Sequence, residues 1–426
     1  MNSLQKEYFK NVIPSVLSFT LGAIYCFCDA FFVGNRIGDL GLAAINISFS
    51  FLSLFIAVGA GIGMGASVKY SILKARNMGD EASNFIYVAY VLMLYCSIVL
   101  IIPCFLFPQF FLRILGASEV VADLGKNYFR ICSLGALAQI FSCGLPPICR
   151  NNDGAIASMN SFILGCVVNI FLDWLFIWVF EWGMEGAAEA TVIGQFVSFF
   201  ICLRFLFKKK IFSFRYKKGS FLSTSKQICK VGISPFGLTI VPNISVVVLN
   251  KASLYYGNDI GLAAYGCMAY LVYIVYMVMQ GVTDGSQPLI STYFGKHDFT
   301  TLKKVKKYTY VTTMAVAVLS FILEVALKTK LGPFMGSSGE TASIIEHGIP
   351  VFAFGFFFVA FSRSTASCLY ACENNIRSYL ISYTEPVFIL LSILLIGQFT
   401  GLNGVWISNT VGQGLVMVLA SVLLLI

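Results

Sequence analysis

Stretches of about twenty apolar residues with few or no charges recur along the whole chain, and no other feature constrains its fold so strongly. Inside lipid a backbone amide finds no water, so a crossing segment must close its hydrogen bonds within itself as a helix. The pattern predicts twelve spans. The first six cover 11–34, 42–68, 83–108, 123–147, 156–180 and 186–207; the second six cover 229–256, 262–290, 306–328, 343–370, 376–398 and 402–426. Only 12% of the 426 residues are charged. A soluble domain carries about a quarter, so two or three water-soluble domains would lack the polar surface they need. The first span follows Lys6 and Lys10 as a signal peptide would. It is too long for one, lacks a small-residue cleavage site and precedes eleven more spans, so it reads as helix 1.

The basic residues orient the chain. With the N-terminus in the cytoplasm, 21 of the 29 Lys and Arg fall on that side. They include Lys69, Lys74 and Arg76, the run 208–210 with Arg215, Lys217 and Lys218, and Lys303, Lys304, Lys306 and Lys307. Seven fall opposite and Arg363 lies within a span. Both termini are therefore expected inside a multi-pass protein of the cell (inner or plasma) membrane. The net charge of +9 reports this topology and implies no nucleic-acid partner. The 13 Cys lie mostly within spans and read as small packing residues; Cys26 and Cys28 point to different helix faces. With His297 and His347 as the two histidines, no metal site is expected.

Internal repetition organises the chain. Asp39-Leu40-Gly41-Leu42-Ala43-Ala44 returns as Asp259-Ile260-Gly261-Leu262-Ala263-Ala264, and Gly61 and Gly65 return as Gly281 and Gly285. Gly183, Gly186 and the segment Val192-Ile193-Gly194-Gln195 return as Gly401, Gly404 and Thr410-Val411-Gly412-Gln413. Each half holds an even number of spans, so both copies enter the membrane with the same orientation. The expected fold is an all-α polytopic membrane protein, with twelve helices in two six-helix bundles related by a pseudo-two-fold axis. The bundles are 1–207 and 229–426, joined by a basic cytoplasmic linker, 208–228. Two facing bundles enclose a central cleft and can rock about it, which argues for transport.

A carboxylate deep in a span costs at least about 2.5 kcal/mol and is a functional candidate by default. Asp29 lies deep in helix 1. Asp173 lies deep in helix 5, one turn beyond Asn169 on the same face. Thr191 and Gln195 form a second polar stripe, on helix 6. Such a set could hold a proton, because burial and like charge favour the protonated acid. It could equally hold sodium, or the acids could simply hydrogen-bond neighbouring helices. In the second half Asp29 is matched to Asn250, and Asn169 and Asp173 to Val387 and Leu391, while Asn409 and Gln413 keep the polarity of Thr191 and Gln195. The acidic site is thus expected in the first bundle alone. Asp284, with Gln195 and Gln413, is a candidate for lining a substrate cavity, or else stabilises a helix break. Arg363 and Glu385 are expected to neutralise each other.

These residues resemble the multidrug and toxic compound extrusion family, part of a superfamily that also contains lipid-linked oligosaccharide flippases. The marks are Cys28-Asp29-Ala30-Phe31-Phe32-Val33-Gly34, Asn169-Ile170-Phe171-Leu172-Asp173 and Gly186-Ala187-Ala188-Glu189-Ala190-Thr191, with Gly281–Pro288 and Gly404-Val405-Trp406 in weaker support. The resemblance covers nearly the whole chain. It implies an antiporter, without enzymatic activity or cofactor, that exports organic cations and drugs against a proton or sodium gradient; a monomer is expected. Likeness to the DinF-like branch places cation coupling at Asp29, Asn169, Asp173 and Thr191, with Pro14 at a bend of helix 1. The acidic residue that another branch carries on helix 7 is here Asn243. A flippase is the alternative, although it would favour a cationic cavity. An intramembrane protease is disfavoured, since its Gly-x-Gly-Asp and Tyr-Asp signatures are missing around Asp173 and Asp29.

Overall fold

A computed structural model describes residues 2–211 and 220–425, apart from the side chains of Cys26, Phe27, Ala30 and Asp39. The middle of the expected linker, with Arg215, Lys217 and Lys218, and the final Ile426 lie outside the described residues, as does the side chain of Cys26.

Among the described residues, eight helices are long and apolar enough to cross a membrane, and a pair bent by 52° makes a ninth. Backbone breaks at Asn258 and Gly401 divide two of these, and the 34-residue helix Ser3–Arg36 completes the set of twelve. In the first bundle we label them α1 (Ser3–Arg36), α2 (Asp39–Ala75), α3 (Gly79–Leu106), α4 (Glu119–Leu134 with Ala136–Arg150), α5 (Ala155–Val179) and α6 (Gly183–Lys208). The second bundle holds α7 (221–257), α8 (259–295), α9 (Phe299–Phe334), α10 (Gly339–Ala371), α11 (375–397) and α12 (402–425). Most run past the expected spans, because a helix leaving lipid continues until something stops it. Here the stops are residues in the left-handed conformation, among them Asn77 and His297. Helix α7 begins within the segment read as linker, at Phe221.

The backbone itself carries the repeat. Left-handed residues pair as Gly38 with Asn258, Asn77 with His297, Gly116 with Gly336 and Asp153 with Glu373, each 220 apart, and Gly183 with Gly401, 218 apart. The two-residue change falls just after α5 and α11, each of which widens into a π-helical turn, Trp174–Val179 and Ile393–Gly397. This register corrects the sequence matching by a residue or two. Pro14 and Pro235 stand 221 apart, one residue out of step, so the true counterpart of Asp29 is Leu249. Asn169 and Asp173 correspond to Ile389 and Ile393. Packing confirms the match: a side chain at Gly194 would meet Asn169, and one at the equivalent Gly412 would meet Ile389.

Glycines bring the bundles together where a Cβ would not fit. A Cβ on Gly281 would stand 2.6 Å from Val16 Cα, and one on Gly285 2.7 Å from Val12 Cα. By the repeat the same positions recur as Gly61 beside Phe236 and Gly65 beside Gly232. Small residues allow close backbone approach and dispersion contact that lipid cannot replace. These contacts lie toward one end of the molecule, where α1 starts and α6 stops, which we call the linker end.

Candidate functional site

Two polar regions stand out. The first lies inside the first bundle, where α1, α5 and α6 meet. Asp173, fully buried, is the last residue of regular α-helix before the π turn, and Asn169 sits one turn earlier. Asp29 on α1 faces Asp173, near enough for the two carboxyls to interact directly. Thr191 and Gln195 come from α6. The structure thus brings Asp29 and Asp173 together, and packs Asn169 against Gly194, which lies between Thr191 and Gln195 on α6. Sequence reasoning passed over Tyr128, a buried phenol on α4 within electrostatic reach of Asp29.

The hydrogen-bond accounting of this region is unusual. Buried polar atoms nearly always find a partner. Yet, the approach of the two carboxyls to each other aside, Asp29 Oδ1, both Asp173 oxygens, both amide atoms of Asn169, Thr191 Oγ1 and Gln195 Oε1 are buried without a hydrogen bond. These groups are mostly oxygens, and such a set suits a small cation or a mobile proton.

The second region is a central cavity of about 290 Å³ between the bundles. On α2 its lining runs from Phe49 to Met64, and on α8 from Tyr265 to Asp284. It therefore sits midway along the helices. Hydrogen bonds and ion pairs crossing between bundles cluster on its linker side. Lys69 pairs with Glu373, Asn151 Nδ2 donates to Gln287 Oε1 at 2.9 Å, and Tyr293 Oη donates to Glu7 Oε2 at 3.3 Å. At the floor, Arg150 of α4 bridges to Asp284 of α8 at 3.1 Å, both nearly fully buried. Asp284 accepts a second bond from Gln280 Nε2 at 2.6 Å. The molecule is latched at the linker end, with its cavity beyond the latch, midway along the helices.

Of the three expected cavity residues, Asp284 lies on the cavity wall. Gln413 stands behind it and donates to Tyr276 Oη at 3.2 Å, and Gln195 belongs to the first region. Arg150 was assigned by sequence to a cytoplasmic loop because its expected span stopped at 147; the helix instead carries it to the cavity floor. The expected Arg363–Glu385 ion pair is not formed. Arg363 Nη1 donates to Gln280 Oε1 at 3.2 Å, and Glu385 Oε1 accepts from Ser245 at 3.1 Å.

The comparisons with known proteins agree with this architecture. The MatE family model matches residues 14–175 and again 235–384, one match per bundle. The multidrug export protein MepA of Staphylococcus aureus (strain bovine RF122) is 22% identical over 420 residues, covering 95% of this chain and 89% of that protein. MepA of Staphylococcus saprophyticus is 24% identical over 339 residues, covering 78% of this chain and 73% of its own. Among solved structures, a mutant of the Vibrio cholerae MATE transporter VcmN superposes with a TM-score of 0.92 at 19% identity, covering 99% of this chain and 96% of its own. A multidrug resistance MATE family transporter in an outward-facing conformation gives 0.91 at 20% identity, covering 100% and 95%. Two family matches, a doubled bundle and a fold shared along the whole length place this chain in the MatE family, as a multi-pass membrane transporter and not an enzyme.

Proposed function

We propose that this protein exports organic cations and drugs by alternating access, driven by inward movement of a proton or sodium ion through the first bundle. The observation that carries the reading is the group of unpartnered buried polar atoms on Asp29, Asn169, Asp173, Thr191 and Gln195. Like-charged carboxylates facing each other in a dry site favour taking up a cation. Bound proton or sodium relieves that repulsion and alters how α1 packs on α5. Helix α1 also touches α8 at Val12 and Val16, so such a change can reach the contact between bundles.

The excess of basic residues at the linker end supports a cytoplasmic placing for that end and for both termini. The latch would then close the cytoplasmic side, with the cavity facing outward. Breaking Arg150–Asp284 and its neighbours opens the opposite face. In the latched state Asp284 is committed to Arg150 and Gln280, so its charge becomes available to a cationic substrate only when the latch opens. The names of the MepA relatives support drug export, and likeness to the DinF-like branch supports coupling in the first bundle. Arg150 and Arg363 are balanced by Asp284 and Glu385, so the cavity is not the positive basin that a pyrophosphate-linked sugar would require.

Ethidium efflux from energised cells lacking their own exporters tests the reading. Efflux should collapse on adding a protonophore or removing sodium, and in Asp29→Asn and Asp173→Asn alike. Full efflux in both variants would dispose of the coupling site.

A further inference from the structure

On the α8 side of the cavity, a chain of side chains runs from the latch into the second bundle. Arg150 Nη2 donates to Asp284 Oδ2 at 3.1 Å, and Asp284 Oδ1 accepts from Gln280 Nε2 at 2.6 Å. Gln280 Oε1 in turn accepts from Arg363 Nη1 at 3.2 Å. The guanidinium of Arg363 lies 4.7 Å from the centroid of the Tyr276 ring, and Tyr276 Oη accepts from Gln413 Nε2 at 3.2 Å. Arg150 comes from α4 of the first bundle; the others come from α8, α10 and α12 of the second. Arg150–Asp284 is therefore the joint at which this chain crosses between bundles. All its members except Gln413 line the cavity.

The opposite wall is built otherwise. The repeat matches Tyr276, Gln280, Asp284 and Arg363 to Ile56, Ala60, Met64 and Cys143, which line the same cavity without charge. The polar chain is thus not what the repeated packing requires. Gln280 sits at its centre for a chemical reason. A carboxamide carries an acceptor on one atom and donors on the other, so it can hold a guanidinium and a carboxylate together without adding charge. Its bond to Asp284 Oδ1 leaves Oδ2 for Arg150, which aims the acid at the latch. Among the described residues, the bond to Gln280 is the one side-chain hydrogen bond that Arg363 makes, and its Nε has no partner. A molecule that draws Arg363 or Tyr276 aside removes what holds the amide in place.

Resting on the export reading above, we infer that Gln280 is a positioning residue that makes the latch depend on whether the cavity is filled. With the cavity empty, Arg363 holds the amide against Asp284, and Asp284 holds Arg150. Cargo that moves Arg363 lets the amide turn away; Asp284 then loses its second bond, and the linker end loosens. Such coupling is reciprocal. If cargo weakens the latch, closing the latch weakens the hold on cargo, which favours release when the linker end shuts.

Hydrogen–deuterium exchange of the purified full-length protein in nanodiscs, with and without saturating ethidium, reads the latch. In the wild type, ethidium should speed exchange about fivefold or more in 69–77 and 287–297, the segments carrying the latch bonds of Lys69 and Gln287. In Gln280→Leu the resting rate should already be near the dye-bound one, and ethidium should change it by less than about twofold. By the same linkage, fluorescence polarisation should show ethidium bound as tightly as by wild type, or up to about fivefold more tightly. A merely structural role would weaken binding instead. Gln280→Leu combined with Arg363→Gln should behave as either single variant does, because both break one relay. Additive effects would overturn the proposal, as would weaker ethidium binding in Gln280→Leu or wild-type exchange that ignores ethidium. Should Gln280→Leu fail to fold, Gln280→Asn, too short to span both partners, takes its place. Dye-dependent exchange as expected, without ethidium efflux from proteoliposomes, would overturn export while leaving the relay standing.

Discussion

The two bundles share a backbone and differ in what they bury at the same place. In the first, Asp29, Asn169 and Asp173 converge with unpartnered polar atoms. At the matching positions of the second stand Leu249, Ile389 and Ile393, all within one buried apolar cluster with Trp406 and Tyr265. The contacts that bring the bundles together are, by contrast, kept in both copies: Gly61 and Gly65 are mirrored by Gly281 and Gly285. Packing against the partner is a requirement that each copy meets alone, so duplication preserves it. Under the proposed coupling, a cation site is needed once per transport cycle, and the second copy can fill the same place with hydrocarbon.

Substitutions can break or sharpen this contrast. The largest effect is expected from Ile393→Asp, which puts into the second bundle the acid the first one carries. With no polar partners around it, the carboxyl costs at least about 2.5 kcal/mol. Monodisperse protein on fluorescence-detected size-exclusion chromatography should fall steeply, and normal yield would show that the second bundle hides a polar site. Asp173→Asn, the milder mirror experiment, should leave the chromatogram unchanged and cut ethidium efflux by about tenfold or more, as removal of a general proton-transfer or ion-binding group does.

At the bundle interface the two copies should behave alike. Gly285→Leu and Gly65→Leu each drive a side chain into the facing helix, so both should slow efflux and lower the melting temperature by similar amounts. A penalty in one alone would show that the pseudo-symmetric contact is used asymmetrically. The smallest effect is expected at the opposite end from the linker, where Arg36 pairs with Glu181. The equivalent positions in the second copy are Tyr256 and Phe399, which cannot form an ion pair. Both charged groups are well exposed, so Glu181→Gln should cost within about 1 kcal/mol and shift thermal unfolding little.

How much of this was legible in sequence differs by feature. Twelve helices and two bundles were, because the hydrophobic requirement of lipid is written residue by residue. The pair Asp29 and Asp173 was conspicuous for the same reason: a carboxylate in an apolar run is costly enough to be seen. Helix ends were not legible, since hydropathy stops at the membrane surface and the helix does not. Arg150 was lost to that error, for a cation just past an apolar run looks like a loop residue until the helix carries it inward. The repeat was read one residue out of step in α1 because a proline pair offered a false match. The supposed Arg363–Glu385 pair failed for a different reason: charges on neighbouring spans meet only if both helices turn them inward, and rotation about the helix axis is settled by packing.

The widened turns after Asp173 and Ser392 have a further consequence. A π turn is what a helix does with one residue too many, and it is seldom retained without use. Its presence at the same point in both copies makes it a property of the repeated backbone rather than of the acid beside it. The same widened turn carries a carboxylate at its lip in α5 and an isoleucine in α11, so the bulge offers a position that either chemistry can use.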